Sequence, residues 1–262
     1  QPGDEVVVRA LSYIATVNPV RYLGAEPVFA DCELDDYGMD PEWLATAIRD
    51  RIKKGTKVRA IVAAHLFGQP AQIAAIAQVA RDFHLPLLED AAEALGARED
   101  GQMVGSFGQL GVYSFNGNKV VNASAGGALV GPADLIARAR KLATQAQEEA
   151  GYYLHRELGY NYRLSNLLAA FVRPQLAQLE ARIAHRRALH DAYEARLGQL
   201  PGVRFTPQRA GTYSSRWLTT LHLNPAQCAC TPEDLRQALA AAHIEARRMW
   251  KPLHTQPLYA SR

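Results

Sequence analysis

Short apolar runs alternate with longer amphipathic stretches along the first half of the chain. Brief, nearly continuous apolar runs are typical of strands that are buried on both faces. The predicted strands are residues 5–8, 27–30, 58–64, 85–88 and 111–115, and the predicted helices between them are residues 40–54 and 70–84. Because strands that alternate with helices form βαβ units, the pattern predicts an α/β fold with a mostly parallel central sheet and flanking helices.

Two predicted helices carry clear start signals. Asp40 is suited to the N-cap, Pro41 to the first helical position, and Gly55 follows the last turn. Thr231 and Pro232 open a second amphipathic helix in the same way. We expect the first of these helices to be purely structural.

The character of the sequence changes near residue 198. The elements predicted in the second half are, in order, a helix at 133–143, a helical pattern from 166 to 197, a strand at 217–223, a helix from 231 and a strand at 244–250. Pro174 falls inside the long pattern and predicts a kink or break there. We predict a large domain at 1–180, followed by a linking helix and a small C-terminal α/β domain at 181–262.

Two candidate functional side chains follow apolar runs. Asp90 comes at the exit of the run at 85–88, and Lys119 lies on the turn after the run at 111–115. The Gly and Asn residues of that turn tolerate positive φ. Since open α/β sheets bind ligands beyond the carboxyl ends of their strands, we expect Asp90 and Lys119 to share one edge.

An aspartate and a lysine at one edge suit pyridoxal phosphate. Its pyridinium nitrogen needs an anionic partner, and its aldehyde forms a Schiff base with a lysine. Ser114, five residues before Lys119, can add a hydroxyl for the phosphate. Taken singly, Asp90 also fits the N-cap of a helix beginning at Ala91, and Lys119 also fits a solvated surface lysine. The two residues together favour the cofactor.

Composition excludes several other classes of protein. A net charge of +3 without long basic runs gives no electrostatic support for nucleic-acid binding. No apolar stretch approaches the ~18 residues of a membrane span, and the N-terminus lacks a signal-peptide pattern, so we expect a cytoplasmic protein. The three cysteines, in odd number and without ligand spacing, argue against a disulfide framework and against a zinc site.

Several segments resemble the DegT-type nucleotide-sugar aminotransferases, a family of fold type I pyridoxal phosphate enzymes. The segments lie in the expected order: PGDEVVV, SYIATVNPVRYLGAEPVFAD, AAHLFGQPA, EDAAEALGA, VGSFG, SFNGNK, ELGYNYRLSN and WKPLHTQP. The chain is most similar to the branch that acts on UDP-linked 4-keto-6-deoxy sugars, the bacillosamine type. The resemblance also implies a further segment upstream, with a turn that holds the cofactor phosphate, and a continuation after WKPLHTQP. We therefore expect a chain truncated at both ends.

The resemblance assigns roles to residues near the cofactor. It implies that Tyr13 stacks on the pyridine ring and that Glu93 reaches the ring's 3′-oxygen. It also implies that Asn161 reaches the cofactor phosphate of a neighbouring subunit, which makes a homodimer with shared active sites. The residues alone allow other roles: Tyr13 as a core or rim aromatic, Glu93 as a carboxylate in a first helical turn, and Asn161 as a turn residue.

Four further residues are candidates for substrate contacts. His65 ends the run at 58–64 and can face the cofactor, or it can be a satisfied structural histidine. Arg163 can meet an anionic substrate group or form an ion pair across an interface. Lys251 and His254 resemble a family loop near the sugar, although capping and turn roles explain them as well.

The implied reaction is amino transfer from an amino acid, by family habit glutamate, to the 4-keto group of a nucleotide-linked deoxy sugar. Lys119 is then the catalytic residue that moves the proton. A sugar dehydratase of the same fold is an alternative, but it has histidine at the position of Lys119. A catalytically inactive regulatory or binding protein is a second alternative.

Overall fold

The computed structural model describes residues 1–260. The strands are β1 (Glu5–Arg9), β2 (Glu26–Ala30), β3 (Val58–Ala64), β4 (Leu87–Asp90), β5 (Arg98–Glu99), β6 (Gln102–Met103), β7 (Leu110–Ser114), β8 (Gly127–Val130), β9 (Val203–Phe205), β10 (Thr212–Tyr213) and β11 (Leu221–Leu223). The helices are α1 (Asn18–Tyr22), α2 (Pro41–Lys53), α3 (Ile73–Asp82), α4 (Ala133–Ala143), α5 (Asn166–Leu176), α6 (Leu179–Leu197) and α7 (Pro232–Ala241). Two single 3₁₀ turns lie at Ile14–Thr16 and Leu253–Thr255.

A six-stranded sheet forms the centre of the fold. Its strand order is β2-β1-β3-β4-β7-β8. Every neighbouring pair is parallel except the last, in which β8 runs antiparallel to β7 at the edge. The prediction of a mostly parallel sheet is confirmed. Because the strands are parallel, the carboxyl ends of β1, β3, β4 and β7 meet at one edge.

Helices α2 and α3 pack on the sheet and form the main core with it. Leu44 and Ile48 of α2 and Ile76 of α3 are fully buried in one cluster with Val7 and Ile61 of the sheet. Each such side chain contributes roughly 1.5–3 kcal/mol through burial. We attribute the stability of this layer to these apolar contacts.

The predicted boundaries of α2 are confirmed. Asp40 has extended backbone angles, and its Oδ1 accepts hydrogen bonds from the amides of Glu42 at 2.7 Å and Trp43 at 3.1 Å. Pro41 occupies the first helical position, where its missing N–H costs nothing. The N-cap therefore satisfies two amides that no helical carbonyl reaches.

The break near Pro174 is also confirmed. Helix α5 ends two residues after this proline, and α6 begins at Leu179. Proline lacks the N–H that would bond to the preceding turn, and its ring crowds that turn. The long helical pattern therefore folds as two helices.

Residues 91–97 are turns, so the predicted helix beginning at Ala91 is wrong. The Ala91 amide bonds to the Val112 carbonyl of β7 at 2.9 Å, which continues the sheet instead of opening a helix. The amides of Ala94 and Ala97 each bond three residues back, as in successive tight turns. Sheet pairing therefore overrides the helix preference of this alanine-rich segment.

The C-terminal part differs in detail from the prediction. Helix α7 is present, and Thr231 and Asp234 form a capping box at its start. The strand predicted at 217–223 is shortened to β11, which pairs with β9. The strand predicted at 244–250 is wrong, because this segment is neither helix nor strand and pairs with no strand among the described residues.

The segment after β9 returns to the large sheet domain. Strand β10 pairs with β5 in a small sheet that also contains β6. Trp217 follows on and lies in a buried cluster with Leu66, Phe67 and Val120. This segment therefore packs Trp217 against the loops that follow β3 and β7. Within residues 1–260, no helix is both long enough and apolar enough to cross a membrane.

Candidate active site

Two neighbouring strands present the candidate residues at one edge of the sheet. Asp90 is the last residue of β4 and is aligned with Ala64 at the end of β3. Strand β7 lies beside β4, runs in the same direction and ends at Ser114. A turn closed by the Lys119 amide and the Asn116 carbonyl, 3.0 Å apart, follows and carries the lysine. The predicted common edge is observed.

Lys119 is not a solvated surface lysine. Its side chain is 12% exposed, and its Nζ lies 3.6 Å from Oε1 of Glu93. The same Nζ lies 3.8 Å from the centroid of the Trp217 ring. Burial lowers the pKa of Lys119, while the charges of Glu93 and Asp90 act in the opposite direction. The amine is therefore less basic than that of an exposed lysine.

Glu93 is a second buried titratable group in this cluster. Its Oε2 accepts a hydrogen bond from the Phe67 amide at 3.0 Å, and the residue is 8% exposed. Burial raises the pKa of Glu93 to about 7, and the positive charge of Lys119 limits the rise. Glu93 therefore changes its charge near neutral pH.

Asp90 is oriented by two hydrogen bonds. Its Oδ2 accepts from the Thr16 hydroxyl at 2.6 Å, and its Oδ1 accepts from the Ala92 amide at 3.1 Å. The Ser12 hydroxyl lies 2.7 Å from that of Thr16 and extends the network. Oδ1 thus closes a turn and caps no helix. Each oxygen keeps a further lone pair for a ligand.

Sequence reasoning missed Thr16 and Trp217. The only signal for Thr16 was its place in the SYIATVNP segment, three residues after Tyr13. Trp217 stands in a stretch that showed strand character alone. Neither residue lies near Asp90 or Lys119 in sequence, so no local spacing connects them to the site.

His65 does not face the site. Its side chain is fully buried, with Nε2 3.1 Å from Oε2 of Glu89. Nδ1 accepts a hydrogen bond from the Ala71 amide at 3.0 Å, so Nε2 carries the hydrogen and donates a hydrogen bond to Glu89. Since both ring nitrogens are engaged inside the protein, the predicted substrate contact is corrected to the alternative role, a satisfied structural histidine.

Ser114 and Tyr13 lie on the periphery of the cluster. The Ser114 hydroxyl accepts the Asn116 amide at 3.2 Å and borders a small cavity together with Glu93, Lys119 and Trp217. Tyr13 is 56% exposed, and its ring centroid is 5.9 Å from that of Trp250. The stacking of Tyr13 on the cofactor ring remains a prediction.

The loop that carries Lys251 and His254 reaches the same edge of the sheet. Between these two residues, the Leu253 amide bonds to the Ala10 carbonyl, just beyond β1, at 2.7 Å. Both Lys251 and His254 are exposed. His254 lies beside Phe29, with 6.5 Å between ring centroids. The loop is therefore anchored while its two polar side chains remain open to solvent.

Asn161 and Arg163 stand apart from this cluster within one chain. Asn161 forms an isolated bridge with Thr144, and both Asn161 and Arg163 are exposed. Among the described residues, no hydrogen bond or ion pair joins either of them to Lys119 or Asp90. Their predicted roles remain predictions.

Comparison with known proteins supplies the family. Residues 1–262 match the DegT/DnrJ/EryC1/StrS aminotransferase family. The chain belongs to this family. Pyridoxal phosphate is the cofactor of these aminotransferases, as predicted.

Relatives of this DegT-family chain cover it almost completely. It is 45% identical to EpsN of Bacillus subtilis strain 168, over 98% of the chain and 66% of EpsN. It is 33% identical to GDP-perosamine synthase of Escherichia coli O157:H7, over 99% of the chain and 69% of that enzyme. The chain therefore spans about two thirds of the length of these relatives.

Solved structures agree with the fold. The chain superposes on DesV of S. venezuelae with a TM-score of 0.88 and 32% identity, over 99% of the chain and 67% of DesV. The predicted fold class, a pyridoxal phosphate-dependent transferase with a mostly parallel central sheet, is confirmed.

The donor set of the DegT-family chain fits pyridoxal phosphate. The cofactor needs an amine of reduced basicity, and burial provides this at Lys119. Its ring nitrogen needs a carboxylate partner. Asp90 lies at the end of β4, and each of its oxygens can accept a further hydrogen bond. Ser114 and Glu93 border the same small cavity as Lys119. These residues could therefore hold the cofactor's reactive groups.

Proposed function

We propose that this chain is part of a pyridoxal phosphate-dependent aminotransferase that transfers an amino group to a nucleotide-linked deoxy sugar. The amino group comes from an amino acid, which we take to be glutamate, and enters at the 4-keto carbon. The main observation behind the proposal is the buried amine of Lys119. Its Nζ lies 3.6 Å from Glu93, and the negative charge of Asp90 also acts on it.

The roles of the residues follow from their positions. Bound pyridoxal phosphate supplies an electron sink for the substrate carbon that loses its proton. The Asp90 carboxylate, held by Thr16 and Ala92, would pair with the ring nitrogen and keep it protonated. Lys119 would remove a proton and return it, and burial assists this by lowering its pKa.

Three further residues could contact the cofactor. Glu93 is held by the Phe67 amide and can bind the 3′-oxygen of the ring. The Ser114 hydroxyl can donate a hydrogen bond to the phosphate group, and the exposed ring of Tyr13 can stack on the pyridine ring. We assign these three residues to cofactor binding.

The substrate proposal rests on charge and on the relatives. GDP-perosamine synthase is named for a nucleotide-sugar product. A sugar nucleotide carries a diphosphate, and Arg163, Lys251 and His254 are exposed groups that can be cationic. We propose a UDP-linked 4-keto-6-deoxy sugar as the acceptor, in line with the branch that the sequence resembles.

We also propose a homodimer, with Asn161 reaching the neighbouring subunit's cofactor phosphate. Asn161 and Arg163 are exposed within one chain, as such a role requires.

A large domain at 1–180 and a smaller one at 181–262 would place the sugar site between them. Three unpaired thiols suit the reducing cytoplasm, where we place the enzyme.

The two alternatives have less support. A dehydratase of this fold has histidine where this chain has Lys119. A regulatory protein without catalysis would not need a lysine that is buried beside two carboxylates at the cost of desolvation. Neither alternative explains the cluster as well as amino transfer does.

Replacement of Lys119 by Ala tests the proposal. We expect the variant to lose transamination completely, since it removes both the covalent anchor and the proton carrier. Wild-type protein with the cofactor should show a near-visible absorbance band, and borohydride should fix the cofactor on the peptide that contains Lys119. Lys53→Ala, which changes an exposed lysine of α2, is the control and should behave as wild type. Transamination by the Lys119 variant would refute the role.

The acceptor is tested separately. The protein is loaded with pyridoxamine phosphate and mixed with UDP-, GDP- or dTDP-linked 4-keto sugars in turn, and the amino sugar is measured by mass. We expect the UDP-linked sugar to react fastest. Faster reaction of the GDP- or dTDP-linked sugar would contradict the nucleotide assignment and leave the aminotransferase assignment intact.

A further inference from the structure

The ammonium group of Lys119 has a partner of a second kind besides Glu93. Its Nζ lies 3.8 Å from the centroid of the Trp217 ring, within the range of a cation–π interaction. Trp217 is 3% exposed, so water does not screen this contact. The ammonium is therefore held between a carboxylate and an aromatic face.

Trp217 is tied directly to the turn that carries the lysine. Its Nε1 donates a hydrogen bond of 2.7 Å to the carbonyl of Asn118, the residue before Lys119. The indole N–H is therefore hydrogen-bonded to the same turn whose lysine lies over the indole ring. Ring and lysine turn form one unit.

The backbone of Trp217 is fixed against the turn at 65–69. The Ser215 amide bonds to the Gly68 carbonyl at 2.9 Å. A Cβ on Gly68 would lie 2.6 Å from the backbone nitrogen of Trp217, and Gly68 has a φ of +91°. Only glycine allows this approach.

The same turn also holds the other partner of the ammonium. The Phe67 amide donates to Glu93 Oε2 at 3.0 Å. One turn therefore positions both the carboxylate and the ring on either side of Lys119. The charged groups facing this lysine are Glu93 and Asp90, and Glu93 in turn is influenced by Asp90 and the buried Arg9.

We propose that Trp217 and Glu93 form a docking site for the free ammonium group of Lys119, which holds this side chain whenever it is not bonded to the cofactor. Trp217 acts through Lys119 and is a positioning residue. The docking itself does not depend on the cofactor. Its use in turnover rests on the proposed function, in which the lysine must leave the cofactor and remain close enough to move a proton.

The test measures the pKa of Lys119 in the full chain before cofactor is added. The chain has six lysines, so reductive methylation with ¹³C-formaldehyde gives a short set of signals that can be titrated by NMR. Lys119→Arg identifies the signal of interest. Loss of the ring face destabilises the charged form, so we expect Trp217→Leu to lower this pKa by about one unit. Trp217→Phe, which keeps a weaker aromatic face, should lower it by less.

Trp43→Leu is the matched control, because Trp43 is an exposed residue of α2. It should leave the Lys119 titration unchanged. A wild-type titration of Lys119 in Trp217→Leu, or equal effects of Leu and Phe, would overturn the proposal and leave Trp217 as a packing residue.

A second measurement avoids substitution in the buried cluster. Fluorinated tryptophans keep the shape of the indole but weaken its attraction for cations, so the pKa of Lys119 should fall stepwise with each added fluorine. A flat response would overturn the proposal even if Trp217→Leu failed to fold. Since these titrations need no cofactor, they separate this proposal from failure of the proposed function.

Discussion

Glu89 and Glu93 are both buried glutamates on one short segment, but their pKa values shift in opposite directions. The Glu89 carboxylate accepts four hydrogen bonds, from Nε2 of His65 at 3.1 Å and from the amides of Gly105, Phe107 and Gly108 at 2.6 Å each. Burial favours its neutral form, but these bonds outweigh burial, and the pKa of Glu89 lies below its usual value. Glu89 is therefore a fixed anion.

Glu93 has far fewer donors. One backbone amide, that of Phe67, bonds to it, and Lys119 lies at 3.6 Å. Burial therefore dominates and raises the pKa to about 7. The comparison shows that burial alone does not decide the charge of a carboxylate. The count of donors does, and the site contains the glutamate whose charge can change.

The largest expected effect comes from neutralising the fixed anion. Glu89→Gln places an amide NH₂ against backbone N–H groups that need an acceptor, so we expect a loss of about 3–5 kcal/mol in the free energy of unfolding. Urea denaturation followed by circular dichroism measures it. Glu93→Gln at the same pH is the comparison and should not destabilise. Equal losses in both variants would remove the distinction between the two glutamates.

We expect a smaller loss in the free energy of unfolding when His65, the side-chain donor to Glu89, is replaced. His65→Leu leaves the Ala71 amide without an acceptor and removes one bond to Glu89, at a cost of about 2–3 kcal/mol. Urea denaturation again gives the value, with His185→Leu on the exposed side of α6 as control. A folded His65 variant of normal stability that had lost sugar binding would restore the substrate role of this histidine.

The smallest effect is a pH dependence from Glu93. Because its pKa in the folded protein is raised from 4.5 to about 7, folding favours the protonated form. Stability from this group is full below pH 4.5 and is lost as the pH rises to about 7. Glu93→Gln keeps an acceptor for Phe67, so it should stabilise the cofactor-free protein by about 1–2 kcal/mol at pH 8 and scarcely at pH 4.5.

Unfolding free energies at both pH values test this prediction. Glu149→Gln, which changes an exposed glutamate, is the control and should show no such pH dependence. A gain of the same size at both pH values would mean that Glu93 does not titrate in this range.

Much of the sheet could be predicted because parallel strands are marked by their own apolar runs. The run at 58–64 matches β3 residue for residue, and the others shift by one or two positions. The turns at 91–97 could not be predicted, since alanine-rich sequence favours a helix and only pairing with β7 prevents it. The segment at 244–250 resembled a strand, but a strand also needs a partner.

The candidate site, like the fold, could be predicted only in part. Asp90 and Lys119 could be paired from sequence because Asp90 ends one strand that the pattern located and Lys119 lies on the turn after another, and the ends of parallel strands meet. Thr16 and Trp217 could not, because their contacts depend on how distant segments pack. His65 was placed at the correct strand end, but no sequence feature shows which way its ring turns.

The close approach at Gly68 has a mechanical consequence. Glu93 and Trp217, which flank the amine of Lys119, belong to remote segments, but both depend on the backbone of residues 67 and 68. The Phe67 amide holds the Glu93 carboxylate, and the Gly68 carbonyl accepts the amide of Ser215, two residues before Trp217. A displacement of that turn would shift both flanks together. A methyl group added at residue 68 would press on the backbone of Trp217, 2.6 Å away, and shift its indole relative to the amine, so this glycine sets the position of the ring beside Lys119.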